Sequence, residues 1–226
     1  MILSHVVAAL SAFLRSFQYA GTLQISRAER VAYTKKCIRL ALCYAGFATP
    51  WNLREAWKAG EAALLSCAYD VATDWRHFDK DARTAFESLL SELSTDELRI
   101  LAIALYDKDL SNQLAADGLQ RGAIALEFIL KTMGCEKERA ARWGNLIELG
   151  EMLQIVDDVL DYEDDIAAGD LNCLTTKNRV AYLRHLCRAL NQENSQRLFG
   201  SHSVLVFAIA QARKKATMLL SSFSAD

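Results

Sequence analysis

Between Gly150 and Asp165 the chain reads Gly-Glu-Met-Leu-Gln-Ile-Val-Asp-Asp-Val-Leu-Asp-Tyr-Glu-Asp-Asp. On a helix turning about 100° per residue, Gln154, Asp157, Asp158, Asp161 and Asp165 fall within an arc of roughly 100°. Four carboxylates thus share one stripe. Acids one turn apart repel by about 0.2–0.5 kcal/mol per pair on an isolated helix, and a surface helix normally answers them with Lys or Arg. None is present here: no basic residue occurs between Arg142 and Lys177. The charge is either a solvated acidic face or a set of ligands awaiting a cation. Two features favour the cation: an uncharged amide, Gln154, stands in line with the acids, and the opposite side (Leu153, Ile155, Val156, Val159, Leu160) is apolar, as in a core helix.

A second pair, Asp70 and Asp74, is stacked one turn apart. Arg76 could simply neutralise it, but Leu64, Leu65, Cys67, Ala68 and Val71 surround it with apolar residues, which is unusual for a solvated tip. Acid pairs on two facing helices suit Mg2+, which keeps an octahedral shell and takes only one or two protein carboxylates beside waters and phosphate oxygens. Such a cluster favours departure of a diphosphate, because the metals neutralise charge growing on the leaving oxygens. The cation left behind needs a dry apolar pocket with aromatic faces. Trp51, Trp57, Tyr69, Trp75, Phe128 and Tyr162 are candidates for its lining or for ordinary core packing.

The elements that must position these groups read as helices. One proline in 226 residues and long 3.6-residue patterns predict an all-α protein of one domain, 1–226. Helices are expected over about 2–20, 27–47 and 50–77, the last with Pro50 at its first position. A short helix over 79–92 follows, and Ser94-Thr-Asp-Glu97 reads as a capping box opening the next. From 95 to 133 the pattern stays helical, with a break near Tyr106-Asp-Lys-Asp109. Gly118 and Gly122 flank Arg121, and each costs a helix about 1 kcal/mol relative to Ala. They mark either a close approach to a ligand, with Arg121 reaching an anion, or close helix packing. One long helix is expected from about Glu136 to Gly169, then a helix over 176–192, a loop through Asn194 to Gly200, and a last helix over 202–222. Arg213-Lys-Lys215 in that helix is a solvated face or part of a phosphate site.

Composition narrows the classes. A formal charge of −2 and the absence of a basic run argue against nucleic-acid binding. Uncharged runs such as Leu40 to Leu53 fall short of the roughly 18 residues a membrane span needs, and the opening residues lack a basic leader. Six cysteines occur singly, without CxxC, as expected of reduced thiols in a cytoplasmic protein. A di-iron bundle wants Glu-x-x-His pairs, and His5, His77, His185 and His202 supply none.

The stretch from Gln154 to Tyr162 resembles the second aspartate-rich motif of the class I isoprenoid synthases. Asp161, Asp165 and Gly169, with Gln154 and Asp157 upstream, are also similar to the second motif of squalene and phytoene synthases. The continuation Asp165-Ile-Ala-Ala-Gly169-Asp170-Leu-Asn-Cys-Leu is most like related bacterial terpene synthases, and Asp70-Val-Ala-Thr-Asp74 has the DxxxD form of that branch's first motif. The resemblance covers about 60–80 and 145–175. It implies an antiparallel helical bundle with a central apolar cavity, and a Mg2+-dependent terpene synthase acting on a prenyl diphosphate. Asp70, Asp74, Asp157, Asp158, Asp161 and Asp165 would hold metal, while Gln154, Arg121, Lys177, Arg179, Trp75 and Tyr69 would contact substrate. The first motif is not the DDxxD of chain-elongating synthases, and the chain is shorter than usual for the family, so a lid is reduced or comes from a partner subunit in a homodimer. The alternatives are a transferase joining two prenyl diphosphates and a catalytically inactive helical subunit.

Overall fold

The computed structural model describes residues 2–23, 26–73, 80–93, 95–102, 119–169, 172–200 and 203–223. Among them every regular element is helical. The chain forms two compact units, one of residues 1–110 and 128–139, the other of residues 111–127 and 140–226.

The first unit is built on α1 (Ile2–Ala20), α2 (Arg27–Tyr44) and α3 (Leu53–Thr73), with α4 (Lys80–Leu93), α5 (96–102) and parts of α6 (Leu119–Met133) and α7 (Glu136–Trp143). α2 opens on a capping box: the Ser26 hydroxyl accepts from the Glu29 N–H, and the Glu29 carboxylate accepts from the Ser26 N–H at 2.7 Å. Pro50 does not open α3, contrary to the sequence expectation. It lies in a turn closed by the Asn52 N–H on the Thr49 carbonyl at 3.0 Å, and the Asn52 side chain caps the helix through the Glu55 N–H. α3 presents Ala56, Ala59, Ala62 and Ala63 to the core, all fully buried.

Glu55 and Arg139 anchor this unit as a buried pair. The Glu55 carboxylate accepts from the Thr49 N–H at 2.6 Å and from Arg139 at 3.4 Å, and Arg139 also reaches the Thr49 hydroxyl at 2.8 Å. Their separation of 84 positions hides the pair from a local reading of the sequence.

The second unit holds the rest of α6 and α7, then α8 (Leu146–Leu160), α9 (Tyr162–Ala168), a 3-10 turn (Cys173–Thr175), α10 (Arg179–Ala189), α11 (Gln192–Phe199) and α12 (Val204–Phe223). Ile155, Val159, Leu174, Leu183, Leu186, Leu190 and Ile209 are its most deeply buried side chains. The single helix expected from Glu136 to Gly169 is three helices. Gly144, at φ 77°, turns the chain left-handed after α7, and Asn145 then caps α8 through the Ile147 and Glu148 N–H groups. At Asp161 the backbone (φ −97°, ψ 7°) bends α8 into α9, although the Asp161 and Asp165 N–H groups still bond four residues back. Gly169 stops α9 as expected, at φ 69°. The loop expected from Asn194 to Gly200 is mostly helix: Asn191 caps α11 by accepting from the Asn194 N–H.

Candidate functional site

α8 is held in place along its whole length before its acids are reached. Near its start Gly150 meets Gly122 of α6 so closely that a Cβ on Gly122 would lie 2.3 Å from the Gly150 carbonyl oxygen, and one on Gly150 would lie 2.6 Å from the Gly122 oxygen. Helix packing therefore accounts for Gly122; Gly118 lies outside the described residues. At the other end the Lys215 ammonium of α12 donates to the Leu160 carbonyl at 2.9 Å and to the Glu163 carboxylate. A cation at a helix C-terminus is favourably placed against the helix dipole, and the Lys215 contact holds the Glu163 carboxyl below its ordinary range. Part of the positive charge missing between Arg142 and Lys177 is thus brought by α12.

Between these fixed ends the stripe divides. Asp158 is buried, at 6 % exposure. One carboxylate oxygen accepts from the Gln154 amide and the other from the Cys173 N–H, both at 2.7 Å. Asn172, also buried, donates to the Asp158 carbonyl at 2.7 Å and to the Asp165 carboxylate at 2.8 Å, and accepts from the Leu174 N–H at 2.9 Å. Asn172 was not among the residues marked by the sequence, although it stands in the tail that carries the resemblance; nothing local in that tail shows that it folds back on α8. Burial, then the neighbouring Asp158, raises the Cys173 thiol pKa.

Asp157 and Asp161, on the same stripe, are exposed. With Asp165, half-buried and steadied by Asn172, they follow one another at single-turn steps across the α8–α9 bend. Nearby, the Arg179 guanidinium lies 4.1 Å from the centre of the Phe223 ring, and that ring meets Tyr162 edge-on at 6.1 Å. Arg179 is therefore held by cation–π contact to the same ring that packs against Tyr162, the neighbour of Asp161. Lys177 is exposed and Arg121 half-buried.

In the first unit Asp70 sits in the last turns of α3, where a carboxylate opposes the negative end of the helix dipole. Lys36 of α2 compensates, with its ammonium 2.7 Å from the Asp70 carboxylate. Tyr69 is buried and meets Phe86 edge-on at 5.8 Å, which makes it core packing of this unit. Asp74 and Trp75 lie outside the described residues. Of the other aromatic candidates, Phe128 is buried, Trp57 donates to Glu61 at 3.2 Å, and Trp51 is 72 % exposed.

All six cysteines are free thiols. Among the described residues no three His, Cys, Asp or Glu side chains gather as a metal-holding group. Magnesium does not require one, because one or two carboxylates with waters and phosphate oxygens complete its shell. Exposed hard oxygen donors at one-turn spacing, as in Asp157 and Asp161, match that requirement more closely than Asp158, which is buried with each oxygen accepting a hydrogen bond. No described helix is long and apolar enough to cross a membrane. No protein-family model, curated protein or solved structure matches the chain.

Proposed function

We propose that the protein is a magnesium-dependent terpene synthase that ionises a prenyl diphosphate. The observation that carries this reading is the division of the acidic stripe: Asp157 on α8 and Asp161 at the α8–α9 bend stand exposed, while Asp158 between them is buried and bonded to Asn172 and Cys173.

Asp157, Asp161 and Asp165 are assigned to Mg2+, and so, separately, are Asp70 and Asp74. Bound magnesium supplies charge neutralisation on the departing phosphate oxygens. The residues' task is to hold their oxygens at fixed spacing, with Asn172 steadying Asp165. Arg179, set against Phe223, is assigned to the phosphate charge. In the reaction the allylic C–O bond breaks, its electron pair leaves with the diphosphate, and the carbocation closes a ring, loses a proton or is captured by water.

The test is incubation with geranyl, farnesyl and geranylgeranyl diphosphates, with and without Mg2+, measuring diphosphate release and organic product. Metal-dependent release from one substrate alone is the expected result. Release only when a second prenyl diphosphate is present would make the protein a condensing transferase, and no release from any substrate would overturn the assignment.

A further inference from the structure

The first helix is turned inside out. Leu3, Val6, Leu10, Phe13 and Phe17 of α1 are 45–72 % exposed, whereas Ser4, Ala8, Ser11, Ala12 and Ser16 on its other side are at most 3 % exposed. The inward face is small by necessity. A Cβ on Gly60 of α3 would lie 2.6 Å from the Ser11 Cβ and 2.7 Å from the Ala12 backbone nitrogen, and the Ser11 hydroxyl donates to the Trp57 carbonyl at 2.9 Å. α1 and α3 pack too closely for α1 to roll its large side chains inward.

The exposed residues advance by alternating steps of three and four, the repeat that seats one helix's side chains in the spaces of another. The face carries no charge. Arg15, the one Arg or Lys of the helix, bends to Glu61 and Glu92 at 3.4 and 3.5 Å. A helix lying on a lipid surface carries flanking Lys and Arg, and a charged partner would meet no complement here. An uncharged stripe is complementary to itself. With Ile2 and Leu14 it offers roughly 700 Å² per copy, so a pair would bury about 1,400 Å², within the span of stable interfaces.

We infer that α1 pairs with α1 of a second copy, antiparallel, across a two-fold axis at Leu10. Leu10 is the midpoint of the stripe from Leu3 to Phe17. The antiparallel register sets Phe17 level with Leu3 and Phe13 level with the Val6–Val7 pair, a large ring opposite smaller side chains at each step, whereas the parallel register stacks ring on ring.

Sedimentation velocity of the full chain across micromolar concentrations tests the pairing, and its readout is mass rather than activity, so it stands apart from the proposed reaction. The expected species is twice 25.2 kDa, and Phe13→Glu should weaken association at least tenfold with the helical circular dichroism spectrum unchanged. Mild oxidation of Leu10→Cys should give a disulfide between the two substituted positions, identified by mass spectrometry against the native thiols. A wild-type monomer, including one that binds phosphatidylcholine vesicles, would overturn the inference. So would a dimer indifferent to Phe13→Glu, or one in which the Leu10→Cys positions fail to join.

Discussion

The side chains of Asp157 and Asp158 leave α8 about 100° apart, and that step takes one into solvent and the other to a buried site between Gln154 and the Cys173 amide. An amide in place of the buried carboxylate sets a donor against a donor, because both groups facing Asp158 are N–H. Asp158→Asn should therefore cost about 1–3 kcal/mol, read as a lowered urea midpoint. Asp157→Asn, at an exposed position, should cost less stability than Asp158→Asn while lowering magnesium-dependent diphosphate release. The opposite pattern, with stability lost at Asp157 and activity alone at Asp158, would count against the division of roles proposed here. The sequence placed both acids on one stripe, and the stripe does carry both. Which of them is buried depends on a chain reversal fourteen residues on, at Asn172, and helical periodicity holds no information about a return loop.

At the scale of elements, local signals were legible where a single residue acts alone: Gly169 ends α9, and apolar periodicity places α1, α2, α10 and α12 close to their observed spans. They failed where two residues from distant elements act together. The rarity of Gly within helices flagged Gly122, but its partner Gly150 was invisible without the crossing of α6 and α8. Gly150→Ala raises helix propensity by up to about 1 kcal/mol, yet it drives a methyl group to 2.5 Å from the Ala123 Cα. Overpacking of about 1–3 kcal/mol should prevail, giving a net loss in denaturant titration. Lys215 is a second case. Its contact lowers the Glu163 pKa in the folded state, so the stabilisation is present above the ordinary carboxylate range and fades as pH falls through the lowered value. The destabilisation caused by Lys215→Met should therefore be larger at pH 7 than at pH 3, and should shrink with added salt because Glu163 is exposed. A residual effect at low pH is expected from the lost bond to the Leu160 carbonyl.

Across the whole molecule, helical periodicity and near-absence of proline fixed the all-α class, but the division into two compact units left no mark in composition. Two of its boundaries fall inside α6 and α7, between Glu127 and Phe128 and between Arg139 and Ala140, where helical sequence carries no Gly- or Pro-rich linker; the third, between residues 110 and 111, lies outside the described residues. The consequence for function is that Asp70 belongs to the first unit and Asp157, Asp161 and Asp165 to the second. If turnover requires both sets of acids, the loss of either one removes the activity that the other supports. Asp70→Ala and Asp161→Ala should each lower diphosphate release by roughly 100-fold or more, and the double variant should be no slower than the slower single one, as for groups that act as a unit. Lys36→Met, which removes a partner of Asp70 but keeps the acid, controls for local disturbance of α3 and should retain more activity than Asp70→Ala. Fully additive losses in the double variant would mean that the two sets act independently, and an unchanged rate in both single variants would leave the acids as a charged surface with no part in turnover.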